Sequence, residues 1–445
     1  MSVSRPLSAA PPLAIDRWCQ RLGAGPIATS RRGMGWLLTE VIPVFAWAQI
    51  TGALMGESFY LVTYLTLLGA SAQDLAFLPL VAYGGSALST ALVFGRSSHN
   101  PKRRCVIDTG IGRTVWLGTI LWPLLGLHLG WSPGVLIGGV LACIFVTQVC
   151  HSAGGAAFSA WTQAVVPQPL RGRFWAWRNI ASYGTVALAV LAMGALLPKG
   201  AEATPAHLPW LMGCFAVVTV LCLGSTWMLA LAPDLPQHTL DQPRVALAIA
   251  LKAHPGFRRL IVFNICTLAA NAITMPYLPT LLHARGIGSA AFAAGQGTAF
   301  APAMIGGILL AGWGLGRWGG HRLLLLTAVL LLAADACWLL LPPNELVWLG
   351  PCLGLAGLAK GLWSIALIGR SHELAPSGDT RFPALLTGIS AGAAVLVALL
   401  LTAAVPLIEP LAHGDLPWLL VAVAVGFRVL GVVTLVLAAR PRSPR

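Results

Sequence analysis

The sequence predicts an all-α integral membrane protein with twelve transmembrane helices arranged as two six-helix bundles. Three observations lead to this fold class. The 445 residues are 57% hydrophobic and only 9% charged, whereas soluble domains carry about 25% charged residues. The apolar residues fall into twelve runs, each of a length that crosses a bilayer as a helix. The basic residues concentrate in alternate connections between those runs, as they do in polytopic membrane proteins.

The twelve runs set the order of the predicted elements. They occupy residues 38–66, 75–95, 107–129, 133–159, 176–197, 208–232, 257–283, 289–314, 322–342, 346–369, 382–408 and 416–439. The longest connection, 233–256, separates an N-terminal bundle, 38–232, from a C-terminal bundle, 257–439. Residues 1–37 are expected to form an arm before the first span, and residues 440–445 a short tail.

The distribution of basic residues predicts the orientation of the chain. Of the 28 Lys and Arg residues, 23 lie in the arm, the tail and alternate connections, two lie in the opposite connections and three lie within spans. Loops rich in Lys and Arg face the cytoplasm. Both termini are therefore predicted to be cytoplasmic, in a multi-pass protein of a bacterial inner membrane. The net charge of +14 follows from this topology, and no nucleic-acid partner is predicted.

The segment VPQPLRGRFWAWRN, residues 166–179, is interpreted as the cytoplasmic turn between spans four and five. Its two prolines end the fourth helix. Arg171, Arg173 and Arg178 lie at the membrane boundary together with aromatic side chains, which favour that interface. A proline followed by Arg-Phe recurs at Arg381, about half the chain further on. This echo indicates two related halves in the same orientation.

These features resemble the major facilitator superfamily over residues 38–439. The likeness rests on six plus six spans, the P-x-x-x-R-G-R-F segment after span four, and the loop between spans two and three. The family signature in that loop is G-x-x-x-D-R-x-G-R-R. Gly95–Arg104 reads GRSSHNPKRR, which keeps Arg103 and Arg104 but has His99 where the acid belongs. The resemblance implies alternating access, in which two bundles rock around a midplane site and an ion or substrate gradient supplies the energy.

Polar residues at helical spacing mark spans one, four, seven and ten, whereas span six is nearly all apolar. Polar groups inside a membrane are costly and usually face the interior of a bundle. In the family that this chain resembles, the same four helices line the cavity. The candidate residues for a substrate cavity or proton coupling are Glu57, Tyr60, Tyr64, Gln148, His151, Asn264, Asn271, Lys360 and Ser364.

Each ionisable candidate has a functional and a structural interpretation. Glu57 would exchange protons in a low-dielectric site, or it pairs with Arg113 or Lys360 and only holds helices together. Lys360 would bind an anionic group, or its long side chain reaches the membrane surface. His151 would relay protons, or it is a packing residue. Asn271 would hydrogen-bond substrate, or it bridges helices.

Other charged residues are assigned to the gate or the scaffold. Asp335 and Arg428, on spans nine and twelve, are expected to be structural charges or a helix–helix pair. Asp108 and Arg113, five residues apart at the inner end of span three, are candidates for a gating contact. The residues of the cytoplasmic gate or loops are Arg103, Arg104, Asp108, Arg113, Arg171, Arg173, Arg178 and Arg381.

The sequence therefore favours a monomeric secondary transporter for a small molecule, coupled to protons. The altered loop signature favours a second interpretation, a membrane assembly factor or scaffold that uses the same fold without transport. An intramembrane enzyme is not supported, because no nucleophile–base pair or metal-ligand constellation appears. No catalytic residue, metal or cofactor is predicted. The composition of the candidate cavity specifies neither the substrate nor the direction of transport.

Overall fold

Every regular element in the described part of the chain is a helix. The computed structural model describes residues 31–52, 59–94, 100–166, 171–196, 205–232, 255–342, 345–374, 381–412 and 415–439. The α-helices are α1 (Arg31–Thr39), α2 (Val41–Thr51), α3 (Phe59–Leu67), α4 (Ala72–Phe94), α5 (Pro101–Trp116), α6 (Gly118–His128), α7 (Pro133–Val165), α8 (Arg171–Leu196), α9 (Leu208–Leu231), α10 (Pro255–Ala284), α11 (Ser289–Gly295), α12 (Ala301–Leu340), α13 (Leu349–Leu374), α14 (Arg381–Ile408) and α15 (Leu416–Ala439).

Eight helical stretches within the described residues are long and apolar enough to cross a membrane. Their outward faces are also apolar. Leu188, Trp227 and Leu340 are exposed by 71%, 75% and 78%, although such side chains are normally buried in soluble proteins. A surface of this kind is stable only in contact with lipid. The chain is therefore an integral, multi-pass membrane protein.

The first predicted span is interrupted rather than continuous. The backbone stays helical at Glu40, between α1 and α2, and α2 ends at Gly52, whose φ of 69° lies in the left-handed region. Glycine ends helices in this way because it has no β-carbon to clash with the preceding carbonyl. Beyond residues 53–58, which lie outside the described ranges, α3 continues to Leu67.

The helix α12 reverses direction at Gly319, where φ is 75° and ψ is 158°. Forty residues of straight helix would be about 60 Å long, twice the thickness of a bilayer core. Before the reversal, α12 runs parallel to α13, with Met304 beside Gly361 and Leu315 beside Gly369. After it, α12 runs back along α13. The predicted connection between spans eight and nine therefore coincides with a sharp turn.

The core of each half is formed mainly by its own residues, although the N-terminal cluster also includes Ala293 and Ala301 of the other half. Trp47, Trp116 and Phe215 centre the largest buried cluster of the N-terminal half, while Phe263 and Leu362 belong to a cluster of the C-terminal half. We call the end of the helices that carries a set of arginines the Arg-rich end. Its defining residues are Arg104, Arg178, Arg259, Arg317 and Arg370.

Helices α4 and α14 join the two halves along much of their length. Near the end opposite the Arg-rich end, the Thr402 hydroxyl donates to the carbonyl oxygen of Ala76 at 3.3 Å. At the Arg-rich end the helices are so close that a β-carbon on Gly388 would collide with Thr90. Small residues allow the two helices to approach this closely. Within a membrane such close packing stabilises the contact, because the hydrophobic effect does not drive helices together there.

Two further contacts join the halves at the end opposite the Arg-rich end. The Tyr277 hydroxyl of α10 donates to the carbonyl oxygen of Ala72, the first residue of α4, at 3.3 Å. Gly297 packs against Leu191 of α8 without room for a β-carbon. The halves are thus joined at this end through three separate pairs of elements.

Candidate functional site

The two tyrosines predicted for the cavity lie in the core of the N-terminal half. The Tyr64 hydroxyl donates to the carbonyl oxygen of Thr119 at 2.8 Å, and its ring lies 5.2 Å from that of Phe215. Both partners belong to the same half as Tyr64. Tyr60 is 4% exposed and packs in the same cluster. The structure therefore directs Tyr64 towards α6 and α9 rather than towards the C-terminal half.

His151 of α7 lies against the aromatic core of α2 and α5. The centroid of its ring is 5.0 Å from that of Trp47, and Trp47 makes an edge-to-face contact with Trp116. Within the described residues, no hydrogen-bond partner reaches His151 Nε2 or the two tryptophan ring nitrogens. Gln148, one turn earlier, is 2% exposed and packs against Gly85 of α4. Burying the nitrogens of His151, Trp47 and Trp116 without a hydrogen bond costs free energy. These three atoms are therefore candidates for contact with a ligand.

Arg113 is buried inside the N-terminal half and binds α9. Its Nη1 donates to Ser225 Oγ at 2.7 Å, to Thr226 Oγ1 at 2.9 Å and to the carbonyl oxygen of Cys222 at 3.2 Å. All three acceptors are neutral. The guanidinium is 2% exposed, and no described carboxylate pairs with it. Span six, nearly all apolar in sequence, thus supplies every described partner of Arg113 through two of its few hydroxyls and one carbonyl.

Glu40 is a buried acid to which the sequence pattern assigned no role. This carboxylate is 2% exposed and lies between α1 and α2, with Oε1 2.5 Å from Nη2 of Arg178 on α8. Arg178 also donates to the carbonyl oxygen of Leu37 at 2.7 Å and stacks 4.5 Å from the centroid of Phe158. The available signal was a single acid within the otherwise apolar run that begins the first span.

The predicted gate residues lie on three helices, and five of the eight lie in or beside a first turn. Asp108 pairs with Arg104 at 3.4 Å, one turn away on α5, whereas Arg113 is directed to α9. The structure therefore does not bring Asp108 and Arg113 together. The backbone nitrogen of Arg103 is capped by Asn100 Oδ1 at 2.8 Å. Helix α8 begins at Arg171 and includes Arg173, and α14 begins at Arg381. The three arginines thus lie in first turns rather than in loops.

A buried polar network links three helices of the C-terminal half. Arg428 Nε of α15 is 2.7 Å from Asp335 Oδ2 of α12. Its Nη2 donates to Asn271 Oδ1 of α10 at 2.7 Å, and its Nη1 to the carbonyl oxygen of Thr267 at 3.2 Å. The stripe on span seven therefore turns Asn271 towards helices of its own half. Asp335 and Arg428, expected as scaffold charges or a helix pair, are in direct contact.

Two of the buried polar atoms of the C-terminal half that lack a described partner lie on the helices of spans seven and ten. Asn264, two turns before Asn271, is 2% exposed, and no described donor reaches its Oδ1. The ring nitrogen of Trp363 on α13 is buried in the same condition. With Trp47 and His151, each of the four helices that correspond to spans one, four, seven and ten carries a buried polar atom without a described partner, as do other helices at Trp116, Gln296, His321 and Ser390.

Lys360 lies where α13 packs most closely on the segment that precedes α12. Its Nζ is 6.0 Å from the centroid of the Phe300 ring, a distance typical of cation–π contact. A β-carbon on Gly357 would collide with the carbonyl of Phe300, and one on Gly361 would collide with the carbonyl of Met304 in the first turn of α12. Phe300 ends a five-residue π-helical segment, a distortion often found at functional sites. Ser364, also on α13, donates to the carbonyl of its own helix.

Glu373, near the end of α13, is a second acid to which the sequence pattern assigned no role. Its Oε1 accepts from the backbone nitrogen of Gly320 at 3.0 Å, and its Oε2 is 2.6 Å from Arg370 Nη1. The end of α13 is thereby fixed to the turn of α12.

Glu57, the predicted proton-coupling acid, lies outside the described residues. Among those described, no group of three or more His, Cys, Asp or Glu side chains is placed to hold a metal ion.

Several solved structures share this fold. One is a mutant form of the nucleoside transporter NupG, with 12% identity, a TM-score of 0.65, and coverage of 91% of this chain and 100% of that chain. Another is a D-xylose-proton symporter, with 14% identity, a TM-score of 0.64, and coverage of 89% and 96%. A third is an inward-facing bacterial homologue of the iron transporter ferroportin, with 15% identity, a TM-score of 0.60, and coverage of 92% and 99%.

The class of fold follows from these comparisons. The matched chains are transporters, and each is covered almost completely. The chain therefore shares the fold of these transporters, as the resemblance stated above predicts. No protein-family model matches the sequence, and no curated protein matches it either. Because the identities lie between 12% and 15%, the likeness carries the fold and leaves the cargo to be argued from the chain's own residues.

Proposed function

We propose that the chain is a secondary transporter that moves a small molecule across the membrane by alternating access. Its two six-helix bundles are residues 38–232 and 257–439, with both termini in the cytoplasm of a bacterial inner membrane, and it acts as a monomer. Three features of the helices support twelve crossings. Helices α1 to α3 form one path, α5 and α6 form another, and α12 folds back on itself at Gly319.

The contacts between the halves carry this proposal. Tyr277 with Ala72, Thr402 with Ala76, and Gly297 with Leu191 join the halves at the end opposite the Arg-rich end. Two of these contacts are single hydrogen bonds from a hydroxyl to a carbonyl. Such bonds are worth about 0.6 kcal/mol each between membrane helices. These two hydrogen bonds contribute little to holding the halves together, so they do not oppose rocking between two states.

We place the cargo site, as part of this proposal, beside the buried polar atoms without a described partner on the helices of spans one, four, seven and ten. Trp47 and His151 contribute from the N-terminal half, and Asn264 and Trp363 from the C-terminal half. Two indole donors, an imidazole and an amide oxygen suit a small polar molecule with both donors and acceptors. Lys360, beside the π-helical segment, adds a positive charge that would favour an anionic group.

Proton coupling is proposed through Glu57. A carboxyl group in a low-dielectric site binds a proton more tightly, so that the pH gradient would drive its loading and release. The structures of similar fold include a proton symporter for D-xylose, a nucleoside transporter and a homologue of an iron transporter. Nucleosides, D-xylose and Fe²⁺ therefore belong in the first panel of candidate substrates.

A binding screen followed by flux assays tests the proposal. Purified full-length protein is screened by thermal shift against the panel and against broader sets of sugars, amino acids and organic anions. Each ligand that binds is then assayed in proteoliposomes with and without a pH gradient. We expect Lys360→Ala to weaken binding and Glu57→Gln to abolish the response of flux to the pH gradient while leaving exchange intact. Arg258→Gln, an exposed charge on α10, serves as the control.

The competing interpretation as a scaffold gives a different result. If no compound moves under any gradient, and a stable protein partner co-purifies equally well with Glu57→Gln and Lys360→Ala, the transporter proposal is wrong.

A further inference from the structure

Two cysteines meet in the C-terminal half, at the end opposite the Arg-rich end. Cys337 lies three residues before Leu340, the last residue of α12, and Cys352 lies three residues after Leu349, the first residue of α13. At 1.5 Å per residue, each cysteine is about 5 Å from the end of its helix. The two cysteines therefore lie at the same depth on two helices that run side by side.

The two thiols are in direct contact. Cys352 Sγ is 3.9 Å from the carbonyl oxygen of Cys337, and the two side chains also hydrogen-bond to each other. The sulfur of Cys352 thus approaches the main chain of Cys337 as well as its side chain. A disulfide needs such an approach of the main chains, because it joins residues whose α-carbons are only about 4.4–6.8 Å apart.

The pair lies between an apolar cluster and the boundary with water. Trp338 and Leu353 belong to a buried cluster that also contains Cys352. Cys337 packs against the same cluster, but it is partly exposed, whereas Cys352 is 5% exposed. Glu345, in the connection between the two helices, is exposed. A reactant that comes from the aqueous phase would therefore meet Cys337 first.

We propose that Cys337 and Cys352 are joined by a disulfide in the cell. The proposal uses the orientation given above, in which the Arg-rich end is cytoplasmic and the opposite end faces the periplasm. Disulfides form and persist in the bacterial periplasm, whereas thiols in the cytoplasm are kept reduced. The bond goes beyond the proposed transport function, because it needs neither a cargo nor a gradient.

The bond would form by exchange with an oxidised dithiol, which itself carries a disulfide. The thiolate of Cys337 attacks one sulfur of that disulfide, so that a mixed disulfide forms and the other sulfur leaves as a thiolate. The thiolate of Cys352 then attacks the sulfur of Cys337 and displaces the second sulfur of the oxidant. Two electrons and two protons pass from the cysteine thiols to the oxidant, which becomes a dithiol.

The bond would attach the ends of three helices to one another. It joins α12 directly to α13. Arg285, the residue after α10, already donates from its Nη1 to the carbonyl oxygen of Leu341, the residue after α12. With the disulfide in place, the ends of α10, α12 and α13 would therefore move as one unit when the two halves rock.

A count of thiols in protein taken directly from cells tests the proposal. Cells are lysed in a denaturing detergent with excess N-ethylmaleimide, which blocks every free thiol before it can exchange. The full-length chain is then purified, and its mass is measured before and after reduction and a second labelling. Since the chain has nine cysteines, we expect seven blocked thiols and two further labels that appear only after reduction. A digest without reduction should contain one pair of linked peptides, which carry Cys337 and Cys352.

Three serine variants assign the bond. In Cys337→Ser and in Cys352→Ser we expect no label that depends on reduction, because each variant leaves a single thiol at the site. Cys214→Ser is the matched control. Cys214 lies near the same end of the molecule, on α9, and is partly exposed like Cys337. This control should keep both labels that appear only after reduction.

The outcomes are distinct. The proposal is overturned if all nine thiols of the wild type are blocked without reduction. It is equally overturned if the labels that depend on reduction persist in both Cys337→Ser and Cys352→Ser. The linked peptides of the wild type decide the matter if a variant does not accumulate. The flux assays do not affect the result, since a chain that moves no compound can still carry the bond.

Discussion

Among the described residues, each half buries one arginine, and the two arginines are satisfied in different ways. Arg113 of α5 reaches α9 and binds two hydroxyls and a carbonyl. Arg428 of α15 reaches α12 and binds Asp335, with Asn271 of α10 as a further acceptor. In each half the arginine links the third and the sixth predicted span of that half. The N-terminal link is a cation among neutral oxygens, and the C-terminal link is an ion pair.

The two halves differ in the position of the buried carboxylate. Among the described carboxylates of the N-terminal half, the buried one is Glu40, at the Arg-rich end, where it pairs with Arg178. In the C-terminal half it is Asp335, deep in the bundle. Breaking a buried ion pair is costly, because the remaining charge has neither water nor a counter-charge. An arginine that has only neutral partners has no such dependence. The two halves should therefore respond differently to the loss of one charge.

The largest effect is expected for Asp335→Asn. The substitution preserves the shape but leaves Arg428 buried without its carboxylate, and we expect the free energy of unfolding to fall by about 3–5 kcal/mol. Titration with a denaturing detergent, followed by tryptophan fluorescence, measures the change. The double variant Asp335→Leu with Arg428→Met removes both charges and should recover most of the loss. If Asp335→Asn costs less than about 1 kcal/mol, the ion pair does not distinguish the halves.

An intermediate effect is expected for Glu40→Gln. Arg178 loses its carboxylate but keeps the Leu37 carbonyl and the ring of Phe158, so we expect a loss of about 1.5–3 kcal/mol in the same assay. Glu373→Gln is the matched control, because its pair with Arg370 is more exposed and should be worth less than about 1 kcal/mol. Equal losses for the two variants would show that burial does not strengthen the Glu40 pair.

The smallest effect is expected for Arg113→Met. It removes an uncompensated buried cation and leaves no carboxylate unpaired among the described residues, so we expect a change of less than about 1 kcal/mol, measured beside Arg428→Met. Ser225 keeps a bond to the carbonyl of Cys222. A loss as large as that of Arg428→Met would mean that Arg113 has a carboxylate partner outside the described residues. Combining Glu57→Gln with Arg113→Met would then identify Glu57 as that partner or exclude it.

The sequence located several of the buried charges but not their partners. Asp335 and Arg428 were identifiable because a charge inside an apolar run is rare. Asn271 was assigned to the cavity because helical spacing shows which residues share a face. Spacing does not show which neighbouring helix that face meets, and the structure directs Asn271 to Arg428.

Two omissions have a similar cause. Glu40 lies near the start of the first span, where an acid is easily taken for a surface residue, and only the approach of α8 shows that it is buried against Arg178. Ser225 and Thr226 gave no signal, because hydroxyls in membrane helices commonly bond to their own backbone. Their role depends on an arginine more than 100 residues earlier in the chain.

The sequence by itself determined the membrane-spanning helical class and the resemblance to the major facilitator superfamily, and it predicts a division at the central connection. Lipid imposes these properties locally, since each span must be apolar over its own length and satisfy its own backbone hydrogen bonds. Only the tertiary structure decided which helices meet and hence which buried charges are paired. Those pairings join residues far apart in sequence, as for Arg428 and Asp335 or Arg178 and Glu40, and they depend on packing between helices that no local pattern encodes.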